Sequence, residues 1–184
     1  MKRVILVHGW QGTPLSHWKP WLKKELESKH FEVLSPQMPN TIFPALAEWI
    51  QFLKDTVGPV DKETFFVGHS LGCIAILRYL ATLKEGVAGG AVLVAPFMDD
   101  IGEPDLSEFY STTAQIERAK DHCLKFVTVL SDNDKDVPMA KAIHVREELN
   151  SELIVEHKKG HFCEDDGVTE LPSVLDAVLK MSAR

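Results

Sequence analysis

The chain has little cysteine, a deficit of basic charge and no long hydrophobic run, and each shortage removes a class of protein. Its 3 cysteines, Cys73, Cys123 and Cys163, are odd in number and scattered, so the disulfide framework that staples small secreted domains is not expected. There are 20 Lys and Arg against 27 Asp and Glu, a formal net charge of −7. Nucleic acid and anionic membrane surfaces both demand a basic face. The most basic stretch, 19–29, is interleaved with Glu25 and Glu27 and reads as a solvated helix face. No apolar run approaches the ~20 residues that span a bilayer. Met1-Lys2-Arg3 is followed only by Val4, Ile5, Leu6 and Val7 before His8-Gly9, too short for the apolar core of a secretory leader. These shortages together lead us to expect a cytoplasmic, reduced protein with no nucleic-acid or membrane partner, and nothing in the sequence specifies a protein partner.

What is present is an ordinary globular composition, with 184 residues, 45% of them hydrophobic and 26% charged. That length supports a core without metals or disulfides, and residues 1–184 are expected to form a single domain. Six short β-branched-rich segments recur, at 3–7, 31–34, 64–67, 91–95, 124–130 and 153–156. Their starts lie roughly 30 residues apart, the length of one βαβ unit. Helical patterns fill the gaps. Trp18, Trp21, Leu22 and Leu26 follow Ser16, which reads as an N-cap. Leu46, Trp49, Ile50 and Leu53 follow Pro44. Met139, Ile143, Arg146 and Leu149 make a weaker stripe, and Leu171, Val174, Leu175, Val178 and Leu179 a clear one. The strands are continuously apolar rather than alternating, which implies a sheet covered on both faces. The expected fold is therefore α/β, a doubly wound, mainly parallel six-stranded sheet with helices on both sides. The one long irregular stretch is the acidic 96–107.

In such sheets sites form beyond the carboxyl ends of the strands. Reading only those positions gives His8-Gly9-Trp10 after the first strand, Ser70 after the third, and Pro96-Phe97-Met98 after the fourth. Ser131 to Pro138 follow the fifth, and Lys159-Gly160-His161-Phe162 the sixth. Ser70 lies within Gly68-His69-Ser70-Leu71-Gly72, where a buried strand meets an apolar helix. A G-x-S-x-G string is a weak signal alone, but this setting makes it a nucleophile elbow, a sharp turn that lifts the hydroxyl clear of the sheet. Ser, Asp and His then follow in chain order, each just past a strand.

Those residue types suit acyl transfer. A serine hydroxyl needs a base within reach, a histidine side chain such as that of His161 is the usual group to accept and return the proton, and an Asp orients the imidazole. The developing oxyanion needs donors, and the backbone N–H groups of Leu71 and of the 8–10 turn, Trp10 in particular, are the candidates. Spacing leaves Asp132, Asp134 and Asp136 all open as the acid, and Pro138 suits the first turn of the helix that follows. His8 and His69 flank the site and are expected to shape turns rather than move protons. His157 and His161 are four apart, but Gly160 and the loop setting remove the helical geometry that paired metal ligands need. No metal and no cofactor are expected.

His8-Gly9, His17-Trp18-x-Pro20-Trp21, Met38-Pro39-Asn40, Gly68-His69-Ser70-Leu71-Gly72, the Asp-x-x-Val-Pro ending at Pro138, and Gly160-His161-Phe162 together resemble one family. It is the group of small serine hydrolases of the α/β-hydrolase fold that includes YdeN and retinoblastoma-binding protein nine. The resemblance spans essentially the whole chain and extends to Glu164-Asp165-x-Gly167. It implies Ser70 as nucleophile, His161 as base and Asp134 as acid, with Asp132 in reserve. It also implies a chain that begins at what is usually the third strand of the fold, without the antiparallel hairpin or a large cap. About 25 residues separate the fourth and fifth strands, so any lid is small. Trp10 and Phe97 are the candidates for an acyl pocket, and small carboxylic esters, or related thioesters or amides, the expected substrates. The alternative is a hydrolase-like scaffold that binds a protein or small ligand without turnover.

Overall fold

Four apolar strands become the fully covered centre of a sheet, and two shorter or more polar ones become its edges. The computed structural model describes residues 1–183. Strands β1 (Arg3–Val7), β2 (Glu32–Leu34), β3 (Thr64–His69), β4 (Gly90–Val94), β5 (Phe126–Ser131) and β6 (Glu152–Glu156) form one sheet in the order β2-β1-β3-β4-β5-β6. Every pairing is parallel. All residues of β3, β4 and β5 are buried, whereas the edges β2 and β6 keep exposed positions. Apolar content along each strand therefore follows its place in the sheet.

Six helices cover the two faces: α1 (Lys19–Ser28), α2 (Leu46–Val57), α3 (Leu71–Leu80), α4 (Thr113–Asp121), α5 (Met139–Leu149) and α6 (Pro172–Ser182). On one face Trp18, Leu22 and Leu26 of the α1 region meet Val174 and Val178 of α6 over Val4, Leu6, Phe65 and Val67. On the other, Trp49 and Leu53 of α2 and Ile74 and Leu77 of α3 pack over Ile5, Phe66 and Leu93. No helix among the described residues is long and apolar enough to cross a membrane.

Because β2 pairs outside β1 and β3 returns to its other side, the strand order reverses between β1 and β3. In open sheets of this kind ligands bind at such a reversal, beyond the carboxyl ends of the strands. Ser70 follows β3 at that point.

Several local expectations are corrected. The N-cap of α1 is Trp18, with Pro20 in the first turn, not Ser16. Ser16 instead closes a turn, its Oγ accepting the Thr13 N–H at 3.0 Å. Pro138 caps α5 from outside at φ −52°, ψ 137° rather than entering its first turn. The buried face of α5 is Ala142, Val145 and Leu149, one residue out of step with the sequence stripe, and Met139 is exposed. The acidic stretch ends in a 3-10 turn (Pro104–Phe109) before α4.

Candidate active site

Ser70 joins β3 to α3 at φ 53°, ψ −121°, a conformation that costs a non-glycine residue on the order of 1–3 kcal/mol and persists only where its surroundings impose it. The surroundings here are tight. The Ser70 N–H donates to the Val94 carbonyl at 2.9 Å, tying the turn to β4. A Cβ on Gly72 would lie 2.2 Å from the Val7 carbonyl oxygen, and one on Gly68 2.8 Å from the Cys73 backbone. Neither has a positive φ, so the flanking glycines are required by close approach and not by their own dihedrals. Gly9 abuts the serine itself: a Cβ there would come within 3.1 Å of Ser70 Cβ.

Around this elbow lie backbone donors without acceptors. Leu71 opens α3, so its N–H has no intrahelical partner. Among the described residues neither that N–H nor the Trp10 N–H has an acceptor. The 8–12 turn that carries Trp10 is held by His8, whose Nδ1–H donates to the Gly9 carbonyl at 2.9 Å while Nε2 accepts the Met38 N–H at 3.0 Å. That bonding fixes His8 as the neutral imidazole, and burial lowers its pKa in the same sense.

The three aspartates after β5 separate cleanly. Asp134 Oδ2 accepts from His161 Nδ1 at 2.8 Å, and the two side chains are 3% and 13% exposed respectively. Its Oδ1 accepts the N–H groups of Asp136 and Val137, each at 2.9 Å. Asp132 turns away, accepting from His157 Nδ1 at 2.8 Å and from the Lys158 N–H at 2.8 Å; the backbone bond, followed by the histidine, holds its carboxyl below the usual range. Asp136 is exposed. The proline-closed loop thus aims one carboxylate inward, where spacing alone left three open. Asp134, Asp136 and His161 also present ligand-type atoms within 4.8 Å of one another, the only such group found among the described residues. The Asp134 oxygens, however, are already taken by the imidazole and the two backbone N–H groups.

The loop that carries His161 is fastened from four sides. Asn133 Oδ1 accepts the Gly160 N–H at 2.9 Å, and Asp166 Oδ2 accepts the His161 N–H at 2.8 Å. His69, the residue before Ser70, donates from Nε2 to the His161 carbonyl at 2.8 Å, with the two rings 5.0 Å apart. The His17 N–H donates to Glu164 Oε1 at 2.9 Å, and the Glu164 N–H donates back to His17 Nδ1 at 3.1 Å. Burial pushes the His69 pKa well below its usual value, so His69 stays a neutral donor that couples the elbow to the histidine loop. His69 shapes the turn, whereas the clasps made by His17, Glu164, Asp166 and Asn133 are not foreseen: His17 and Glu164 stand in the motifs with no role attached, and Asn133 and Asp166 are marked only by lying beside them.

Trp10 is half-buried at the mouth, its Nε1–H donating to the Ile42 carbonyl at 2.9 Å. Phe97 does not line an open pocket. It is fully buried and meets Tyr110 edge-on at 6.4 Å, because the chain after β4 folds its apolar residues under the 3-10 turn rather than towards the site. His157 is exposed and paired with Asp132, away from His161.

Comparison with known proteins points one way. The family model described as serine hydrolase matches residues 4–180. YdeN of Bacillus subtilis (strain 168) is 31% identical over 179 residues, covering 96% of this chain and 94% of that protein. Serine hydrolase RBBP9 of Rattus norvegicus is 29% identical over 161 residues, covering 86% and 80%. The crystal structure of the ydeN gene product superposes with a TM-score of 0.93 at 29% identity, each chain fully covered. Est1E from Butyrivibrio proteoclasticus shares the fold at a TM-score of 0.70 and 17% identity.

Proposed function

We propose, since this chain belongs to the serine hydrolase family, that it cleaves small carboxylic esters through an acyl-enzyme formed on Ser70. The observation that carries the reading is the largely buried pair between His161 Nδ1 and Asp134 Oδ2 at 2.8 Å. With Nδ1–H committed to the carboxylate, the free lone pair of the imidazole is on Nε2, the tautomer a general base requires. In the reaction, His161 Nε2 takes the proton of Ser70 Oγ as the oxygen attacks the ester carbonyl. Asp134 stabilises the resulting imidazolium and remains ionised. The N–H groups of Leu71 and Trp10, which lack acceptors, receive the oxyanion. His161 then returns the proton to the leaving alcohol, and water repeats the sequence to release the acid.

Small substrates are favoured because only the 3-10 turn and α4 lie between β4 and β5, leaving no cap to enclose a long chain. The test is hydrolysis of p-nitrophenyl acetate by wild type and Ser70→Ala. Ser70-dependent turnover supports the reading. A wild type that turns over no activated ester, thioester or amide would make the chain a binding scaffold.

A further inference from the structure

Two consecutive large apolar side chains stand in water beside the site: Ile42 is 60% and Phe43 75% exposed. A single exposed apolar residue needs no explanation, but the segment carrying this pair is fastened along its length. Trp49 Nε1–H donates to the Pro39 carbonyl at 2.7 Å, and Asn40 Nδ2–H to Glu48 Oε2 at 2.5 Å. The Gln11 N–H donates to the Thr41 carbonyl and the Trp10 indole to the Ile42 carbonyl, each at 2.9 Å. The backbone is thus pinned while the side chains at its tip are held away from the core.

The pinning runs straight to the chemistry. Gly9 abuts Ser70, Trp10 follows Gly9 and packs against the core cluster that contains Leu71, and the Trp10 indole holds Ile42. Gly9, Trp10 and Ile42 thus tie the loop that abuts Ser70 to the segment bearing the exposed pair.

We infer that Ile42 and Phe43, with the Trp10 indole, form a ledge that receives the apolar acyl group of the ester, so that the enzyme favours acyl chains of intermediate length over acetyl. This rests on the esterase reading above. The leaving alcohol takes its proton from His161 and so lies on that side of Ser70, which leaves the acyl chain the side on which β1 and its Trp10 loop flank β3. The ledge is short and open, so each methylene laid on it loses only part of its water contact. Complete burial of a methylene is worth roughly fourfold, and half of that free energy roughly twofold.

The experiment compares kcat/KM for p-nitrophenyl acetate, butyrate and hexanoate in wild type and in the double variant Ile42→Ser, Phe43→Ser, with thermal melts to confirm folding. Both side chains are exposed, so the fold is expected to survive. Wild type should gain about 15-fold from acetate to hexanoate, four methylenes at roughly twofold each. The double variant should gain less than about threefold from acetate to hexanoate, through a raised KM for hexanoate. Equal chain-length gains in both proteins, or none in wild type, would overturn the ledge while leaving the esterase reading intact. Lost binding to phosphatidylcholine vesicles with unchanged ester kinetics would overturn it in favour of a lipid-docking surface. Failure of wild type to hydrolyse even acetate would remove the esterase reading itself, and the ledge with it.

Discussion

Replacing Asp134 by Asn separates orientation from packing. The amide oxygen can still accept from the Asp136 and Val137 N–H groups, both 2.9 Å from Oδ1 in the native loop, so the loop keeps its shape. The amide nitrogen then faces His161 Nδ1, where the carboxylate accepts at 2.8 Å. Two donors cannot share that contact, and the imidazole adopts the other tautomer with its proton on Nε2, the nitrogen that has to accept the serine proton. The imidazolium also loses its counter-charge in a site where the native carboxylate is 3% exposed. Loss of the correct tautomer costs a serine–histidine pair about 10⁴ in kcat, equivalent to about 5.4 kcal/mol. Stability should fall by only ~1 kcal/mol, the net worth of one hydrogen bond. Asp132→Asn is the control, since Asp132 bonds His157 and Lys158; its kcat/KM should stay within about threefold, because a group that touches no reacting atom changes little. Both variants are read by p-nitrophenyl acetate kinetics and urea unfolding. Asp134→Asn with a tenth or more of wild-type kcat/KM, or Asp132→Asn as damaged as Asp134→Asn, would remove Asp134 as the residue that orients His161.

Three further outcomes follow from buried groups. Burial holds the His8 and His69 pKa values below 6.5, so below that pH the unfolded chain binds protons the fold refuses. Stability present at neutral pH is then lost as pH falls, by up to about 1.4 kcal/mol per pH unit for each histidine; urea midpoints unchanged between pH 7.5 and 5 would contradict this. Lys19 is 2% exposed, its Nζ has no hydrogen-bond partner among the described residues, and burial pushes its pKa down to about 8 from 10.5. Lys19→Met should stabilise the fold at pH 7 by about 2 kcal/mol after loss of the contact with Trp18. Since the unfolded lysine stays protonated between the two pKa values, wild type gains stability over that range, and the difference measured by urea unfolding should shrink as pH rises from 8 to 10.5. Gly72→Ala, whose Cβ would sit 2.2 Å from the Val7 carbonyl oxygen, should lose about 3 kcal/mol in the same assay; a loss under ~1 kcal/mol would show that the elbow yields more easily than its packing implies.

The sheet was legible because four of its strands are covered on both faces and therefore continuously apolar, and because the loops after them carry the chemistry-bearing residues. The far edge was harder: Glu152 belongs to β6 but lies outside the apolar segment 153–156, its polarity reflecting an exposed edge position. Helix α4 escaped notice, since among its described side chains only Ile116 and Ala119 join the core. Among the candidate site residues, Ser70 and His161 were marked by position along the chain. Selection of Asp134 over Asp132 depends on which carboxylate the tight loop turns inward, a property of backbone direction that spacing does not encode. Phe97 was misplaced for a related reason: aromatic character does not tell a pocket wall from a core, and the fold of the chain after β4 decided it. Ile42 and Phe43 drew no attention because their meaning lies in being fastened to Trp10 from another loop.

The most direct test of a serine-centred mechanism is labelling by a fluorophosphonate, followed by intact-mass and peptide mass spectrometry, in wild type, Ser70→Ala and His161→Ala. The account requires one adduct per chain, located on Ser70, absent from Ser70→Ala and formed at least about 10³-fold more slowly in His161→Ala. An adduct that persists in Ser70→Ala, or that maps to another residue of the wild type, would contradict it.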